Sequence, residues 1–133
     1  ARAFAASRER LLESAQQGTA FCIVTGAIWD GGFADYTYPV AIGAAAAREA
    51  LPLPLTQAMY LHAFLSNLVA AGQRLLPVGQ TEGQAMLRRL TARIPALAEA
   101  TAKGDLARLS GTAFLTDIAA MHHETQTTRI FRT

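Results

Sequence analysis

Alanine is the residue that most constrains the fold of this chain, because it fills 28 of the 133 positions. Alanine has the highest helix propensity, and its small side chain lets two helices approach closely. The longer apolar patterns repeat with the 3.6-residue period of a helix, and the one strand-like run, residues 21–24, has no partner of similar character. The sequence therefore predicts an all-α fold, a single-domain helical bundle of about six to eight helices over residues 1–133.

Composition and charge exclude several classes of protein. Apolar residues make up 51% and charged residues 17%, which excludes a disordered chain and predicts that part of the surface is covered. The net charge is +2, and the basic residues are spread along the chain, so no nucleic-acid groove is expected. No apolar stretch approaches the ~20 residues that span a membrane, and no signal peptide is expected. The single cysteine, Cys22, excludes an intrachain disulfide and fits a reducing cytoplasm.

Residues that typically start or end a helix divide the sequence into predicted helices. Gly18 is expected to act as the C-cap of the first helix. Thr81 and Gln84, three residues apart, predict a capping box at the start of the helix over residues 81–94. His62 falls on the inner face of the longest helix, which predicts a core histidine bonded to a backbone carbonyl. The predicted helices cover residues 4–15, 19–29, 39–50, 56–76, 81–94 and 96–103, and a last helix begins near residue 116.

Two groups of residues invite a chemical role. His122 and His123 carry metal-ligating side chains, but neighbours on a helix point about 100° apart and cannot chelate one ion as His residues four apart do. They are weak metal candidates. Cys22 and His62 have the side chains of a nucleophile and a base, but no oxyanion signature or orienting third group accompanies them. The sequence favours a protein without catalytic activity.

Three stretches, read together, resemble the urease accessory protein F family. The first is Tyr-Pro-Val-Ala-Ile-Gly at residues 38–43. The second, residues 68–84, resembles the family's long helix ending in a Pro-x-Gly-Gln-Thr-acid-Gly-Gln turn. The third is Met-x-His-Glu, within residues 117–124, followed by Arg-Ile-Phe-Arg-Thr at residues 129–133. The tail departs from the family in having Thr127 where an aromatic is usual and Thr133 where Ser is usual.

The resemblance implies a cytoplasmic, all-helical protein that dimerises and has no enzymatic activity. Such a protein binds the D/H-type urease accessory protein and recruits the nickel-carrying GTPase of the G type, and the assembly delivers nickel to apo-urease. The chain itself is expected to bind no cofactor, since nickel is handled by the complex. The family's N-terminal segment, rich in Pro, Gly and Ser, is expected to precede Ala1.

The resemblance also selects candidate site residues. The residues expected to bind a partner are Met121, His122, His123, Glu124, Gln126, Arg129, Ile130, Phe131 and Arg132. The residues of the family's turn are Gly79, Gln80, Thr81, Gly83 and Gln84. Two alternatives stay open: a direct nickel metallochaperone that uses His122 and His123, and a small enzyme built on Cys22 and His62.

Overall fold

Six α-helices and two short 3-10 turns account for most of the residues that the structure describes. The computed structural model describes residues 1–29, 31, 34–111 and 113–128, and none of these residues forms a β-strand. The all-α prediction is confirmed. The helices are α1 (Arg8–Ile28), α2 (Tyr38–Arg48), α3 (Leu53–Leu75), α4 (Gln80–Thr91), α5 (Ile94–Thr101) and α6 (Phe114–His123), with 3-10 turns at Arg2–Phe4 and Leu106–Arg108.

The helices are grouped in two compact units. The first unit contains residues 1–49 and the described part of 107–133, and the second contains residues 50–106. In the first unit, α2 and α6 pack against α1. In the second, α4 and α5 pack against α3. Helices α1 and α6 thus belong to the same unit, although residues 29–113 separate them in sequence.

The first helix is longer than predicted. Residues 8–28 form one continuous helix, so the strand-like run at residues 21–24 is helical and Gly18 lies inside the helix. The prediction that Gly18 is a C-cap is wrong. Gly18 is buried against the backbone of residues 36–38, and a Cβ built on it would lie 2.7 Å from the Thr37 carbonyl carbon. The glycine therefore permits a close approach of backbone to helix.

Small side chains fill the contact between α1 and α2. Ala41 of α2 has no exposed surface, and Cys22 of α1 is 6% exposed. The buried alanines of α2 are Ala41, Ala45 and Ala46. The high alanine content of the sequence thus serves close packing of two helices as well as helix propensity.

Polar and aromatic contacts fasten the connection between α1 and α2. The Arg48 guanidinium donates to the Trp29 carbonyl oxygen at 2.5 Å and lies 5.4 Å from the Trp29 ring centroid. At the other end of α2, the Tyr38 ring meets the Phe21 ring edge to face, with 6.1 Å between centroids. Pro39 occupies the first turn of α2, where its fixed φ suits the helix and its missing N–H costs no hydrogen bond.

The second unit is built on the long helix α3. This helix begins at Leu53, earlier than predicted, because Pro52 provides the extended residue and Pro54 fits the first turn. None of the 23 residues of α3, all of them described, is fully buried. His62 is exposed, so the prediction of a core histidine is wrong. Helices α4 and α5 pack against α3 without covering His62.

Candidate functional site

The last described helix carries an exposed apolar face. Helix α6 begins at Phe114, two residues before the predicted start, and Phe114 and Leu115 are 70% and 85% exposed. Ile118 and Met121 are each 51% exposed and follow Phe114 at helical spacing. The helix therefore presents about two turns of apolar surface directly before the C-terminal segment.

The carboxylate of Glu124 caps a helix at the other end of the sequence. Glu124 follows α6, and its Oε1 accepts hydrogen bonds from the backbone N–H groups of Arg8 at 2.6 Å and Glu9 at 3.4 Å. These are the first two residues of α1, whose N–H groups have no partner within the helix. Glu124 thus provides an N-terminal cap across 116 residues of sequence.

Ser7 completes the capping of α1. Its Oγ accepts from the Arg10 N–H at 3.2 Å, and its carbonyl oxygen accepts from the Leu11 N–H at 3.1 Å. The backbone N–H groups of residues 8–11 therefore all have acceptors, two from Glu124 and two from Ser7. The negative charge of Glu124 is also favourable where it lies, because a helix N-terminus carries a partial positive charge.

A side-chain pair lies beside this cap. His123 Nδ1 is 2.5 Å from Glu9 Oε2, and both side chains are partly buried. The dipeptide His123-Glu124, which was predicted to bind a partner, is therefore in contact with the first turn of α1.

The other predicted residues of the C-terminal region are placed differently. Met121 and His122 are exposed on α6, and Gln126 is exposed with its N–H donating to the His123 carbonyl oxygen at 3.2 Å. The predicted residues Arg129, Ile130, Phe131 and Arg132 lie outside the described residues. Their assignment as partner-binding residues stays a prediction.

The residues of the two alternative chemistries lie in different surroundings. Within the described part of the chain, no group of three or more His, Cys, Asp and Glu side chains is placed to hold a metal ion. His123 Nδ1 is engaged by Glu9, which leaves Nε2 as the available ring nitrogen of that residue. Cys22 is buried, and a thiol closed to solvent is a poor nucleophile.

None of the helices in the described part of the chain combines the length and the apolar character needed to cross a bilayer.

The predicted family turn forms the corner between α3 and α4. Gly79 precedes α4 as its N-cap, and Gly83 is the buried residue of that helix. Gln73 of α3 holds the corner, since its Nε2 donates to Gln80 Oε1 at 3.0 Å and to the Gly79 carbonyl oxygen at 3.4 Å. The side chain of Gln73 also lies against Gly83, in the space that a Cβ would fill.

The capping box predicted for Thr81 and Gln84 is wrong. Helix α4 begins at Gln80, so Thr81 lies within the first turn, and no side chain caps the helix at Gly79. Thr81 and Gln84 are both exposed. A residue of the preceding helix holds the turn, because the Gln73 side chain of α3 reaches across the corner and donates to Gly79 and Gln80.

Sequence reasoning missed three residues of these two arrangements: Ser7, Glu9 and Gln73. A signal for Ser7 was present, since Ser followed by a helical pattern is a standard N-cap sequence. Glu9 is an acidic residue in a first helical turn, which is common and reveals no distant partner. Nothing in the local sequence distinguishes Gln73 from other polar residues on a helix.

Comparisons with known proteins agree on one family. The family model UreF matches residues 1–91. The urease accessory protein UreF of Ruegeria pomeroyi is 52% identical over 131 residues, which cover 98% of this chain and 60% of that protein. The UreF proteins of Roseobacter denitrificans and Bradyrhizobium diazoefficiens are 48% and 42% identical, over 100% and 99% of this chain and 60% and 58% of theirs. No solved structure matches the chain significantly.

Fold and site together define an all-helical protein that exposes apolar side chains along α6. The match of the family model and the identity to curated relatives make the family plain. The chain belongs to the UreF family of urease accessory proteins. It spans about 60% of the length of the relatives it matches.

Proposed function

We propose that this chain acts as a non-catalytic adaptor in urease maturation. In this role it binds the D/H-type urease accessory protein and, in that complex, recruits the nickel-carrying GTPase of the G type. Membership of the UreF family is the observation that carries the proposal. Nickel is the cargo of the complex and reaches apo-urease through it, and the chain needs no cofactor of its own.

The surface of α6 supports the proposed partner binding. Phe114, Leu115, Ile118 and Met121 are exposed, and the segment that follows the helix contains Arg and Phe, residue types that commonly carry binding energy at interfaces. We assign this apolar face, together with the C-terminal segment, to the D/H-type partner. The resemblance further implies a homodimer that works in the cytoplasm, and both are part of the proposal.

Co-purification tests the adaptor role. The chain carries an affinity tag at Ala1, so that the C-terminal segment is left unmodified, and is co-expressed with the D/H-type accessory protein. We expect the tagged chain to retain that protein, and to retain the GTPase only when the D/H-type protein is also present. Absence of the D/H-type protein from the eluate, with both proteins folded, would contradict the proposal.

Nickel titration separates the adaptor from a direct metallochaperone. His122 and His123 are adjacent, and His123 is paired with Glu9, so the isolated chain is expected to bind nickel with a Kd that is roughly micromolar or weaker. Calorimetry measures the affinity and stoichiometry, and a His122→Ala variant serves as the control. Tight stoichiometric binding that His122→Ala abolishes would favour the metallochaperone.

A further inference from the structure

The contacts between α1 and α6 have a feature that simple helix packing does not require. Two consecutive residues at the end of α6 each engage the first turn of α1: His123 contacts the Glu9 side chain, and Glu124 accepts from the backbone of Arg8 and Glu9. These contacts are polar and directional, and they fix both the position and the orientation of the α6 C-terminus.

Glu124 is unfavourably placed for its own helix. It is the C-cap of α6, where a negative charge meets the negative end of the helix dipole. The same carboxylate is favourably placed for α1, because it meets the positive end of that dipole and two N–H groups. The position of Glu124 is therefore explained by the junction of the two helices and not by α6 alone.

We propose that Glu9, His123 and Glu124 form an α1–α6 clasp that positions the chain after Glu124 for partner binding. The clasp fixes the point at which the C-terminal segment leaves α6 and holds the exposed face of α6 beside it. A segment whose start is fixed loses less conformational freedom when it binds, so the clasp increases the affinity for the partner without touching it. This inference rests on the proposed function, in which α6 and the C-terminal segment bind the D/H-type protein.

Replacing Glu124 is the direct test. Glu124→Ala is expected to remove the acceptor of the Arg8 and Glu9 N–H groups, which NMR detects as upfield shifts of those two amide protons. It is also expected to weaken capture of the D/H-type protein by about fivefold, because the start of the C-terminal segment must then be ordered during binding. Glu124→Gln retains an acceptor oxygen without the charge and should recover part of the affinity.

A matched control separates positioning from general stability. Ser7→Ala removes the other cap of α1, the acceptor of the Arg10 N–H, and leaves the three clasp residues in place. It is expected to lower the Tm about as much as Glu124→Ala does, while capture of the partner stays at the wild-type level. Equal loss of capture in Ser7→Ala and Glu124→Ala would overturn the clasp, because capture would then follow stability alone.

Arg129→Ala separates failure of the clasp from failure of the proposed function. Wild-type capture by Glu124→Ala, with capture lost in Arg129→Ala, would overturn the clasp and leave the adaptor role intact. Wild-type capture by both variants would overturn the clasp and also the assignment of the C-terminal segment to the partner. Reduced capture in Glu124→Ala, partial recovery in Glu124→Gln and normal capture in Ser7→Ala would support the clasp.

Discussion

Replacing Gly18 with alanine is expected to lower the free energy of unfolding by about 3 kcal/mol. A Cβ at this position would lie 2.7 Å from both the Thr37 carbonyl carbon and the Tyr38 nitrogen. These are backbone atoms and cannot move aside by changing rotamer, so α1 and the segment before α2 must separate. The loss exceeds the gain of about 1 kcal/mol that alanine brings to a helix interior. Urea unfolding followed by circular dichroism measures the difference.

Gly43 provides the matched control for this prediction. It lies in the middle of α2, and a Cβ built on it meets no atom within 4 Å. Gly43→Ala is therefore expected to stabilise the chain by up to about 1 kcal/mol, through helix propensity alone. A Gly18→Ala chain as stable as the Gly43→Ala chain would contradict the close contact between α1 and residues 36–38.

Replacing Arg129 with alanine is expected to weaken binding of the D/H-type protein by about 2 kcal/mol, or roughly 30-fold. Arg129 lies outside the described residues, so the prediction rests on the family resemblance and on the chemistry of the side chain. A guanidinium has five donors in a planar fork and can hold a carboxylate or backbone carbonyls in one geometry. The Tm of the free chain should stay nearly unchanged. The Kd values are measured by passing a concentration series of each variant over the immobilised D/H-type protein.

Two further variants define what Arg129 contributes. Arg129→Lys retains the charge but not the fork, and it should lose most of the affinity. Arg108→Ala removes the same side chain from an exposed 3-10 turn and should bind as the wild type does. A wild-type Kd for Arg129→Ala would mean that the C-terminal segment is not the binding element.

At the corner between α3 and α4, the sequence motif predicted the position of the turn but not the roles of its residues. The sequence around residues 77–84 identified a turn between two helices, and the structure has the turn there. The assignment of individual roles failed, because Thr81 does not cap α4 and the corner is held by Gln73. Spacing along one segment reveals where a chain turns, but the partner that holds the turn belongs to another element.

The sequence by itself determined the helical class, most of the helix positions and the family. Alanine content, proline positions and 3.6-residue periodicity act locally, since propensity and dihedral restriction depend on neighbours in the chain. The tertiary structure decided the roles of Gly18, His62 and Glu124. From the sequence, Gly18 could end a helix or allow another backbone segment to pack closely, and His62 could face the core or the solvent. Each outcome depends on which segment packs against that residue. Glu124 caps a helix that begins 116 residues away from it, and such a partner becomes known only when α1 and α6 pack together in one unit.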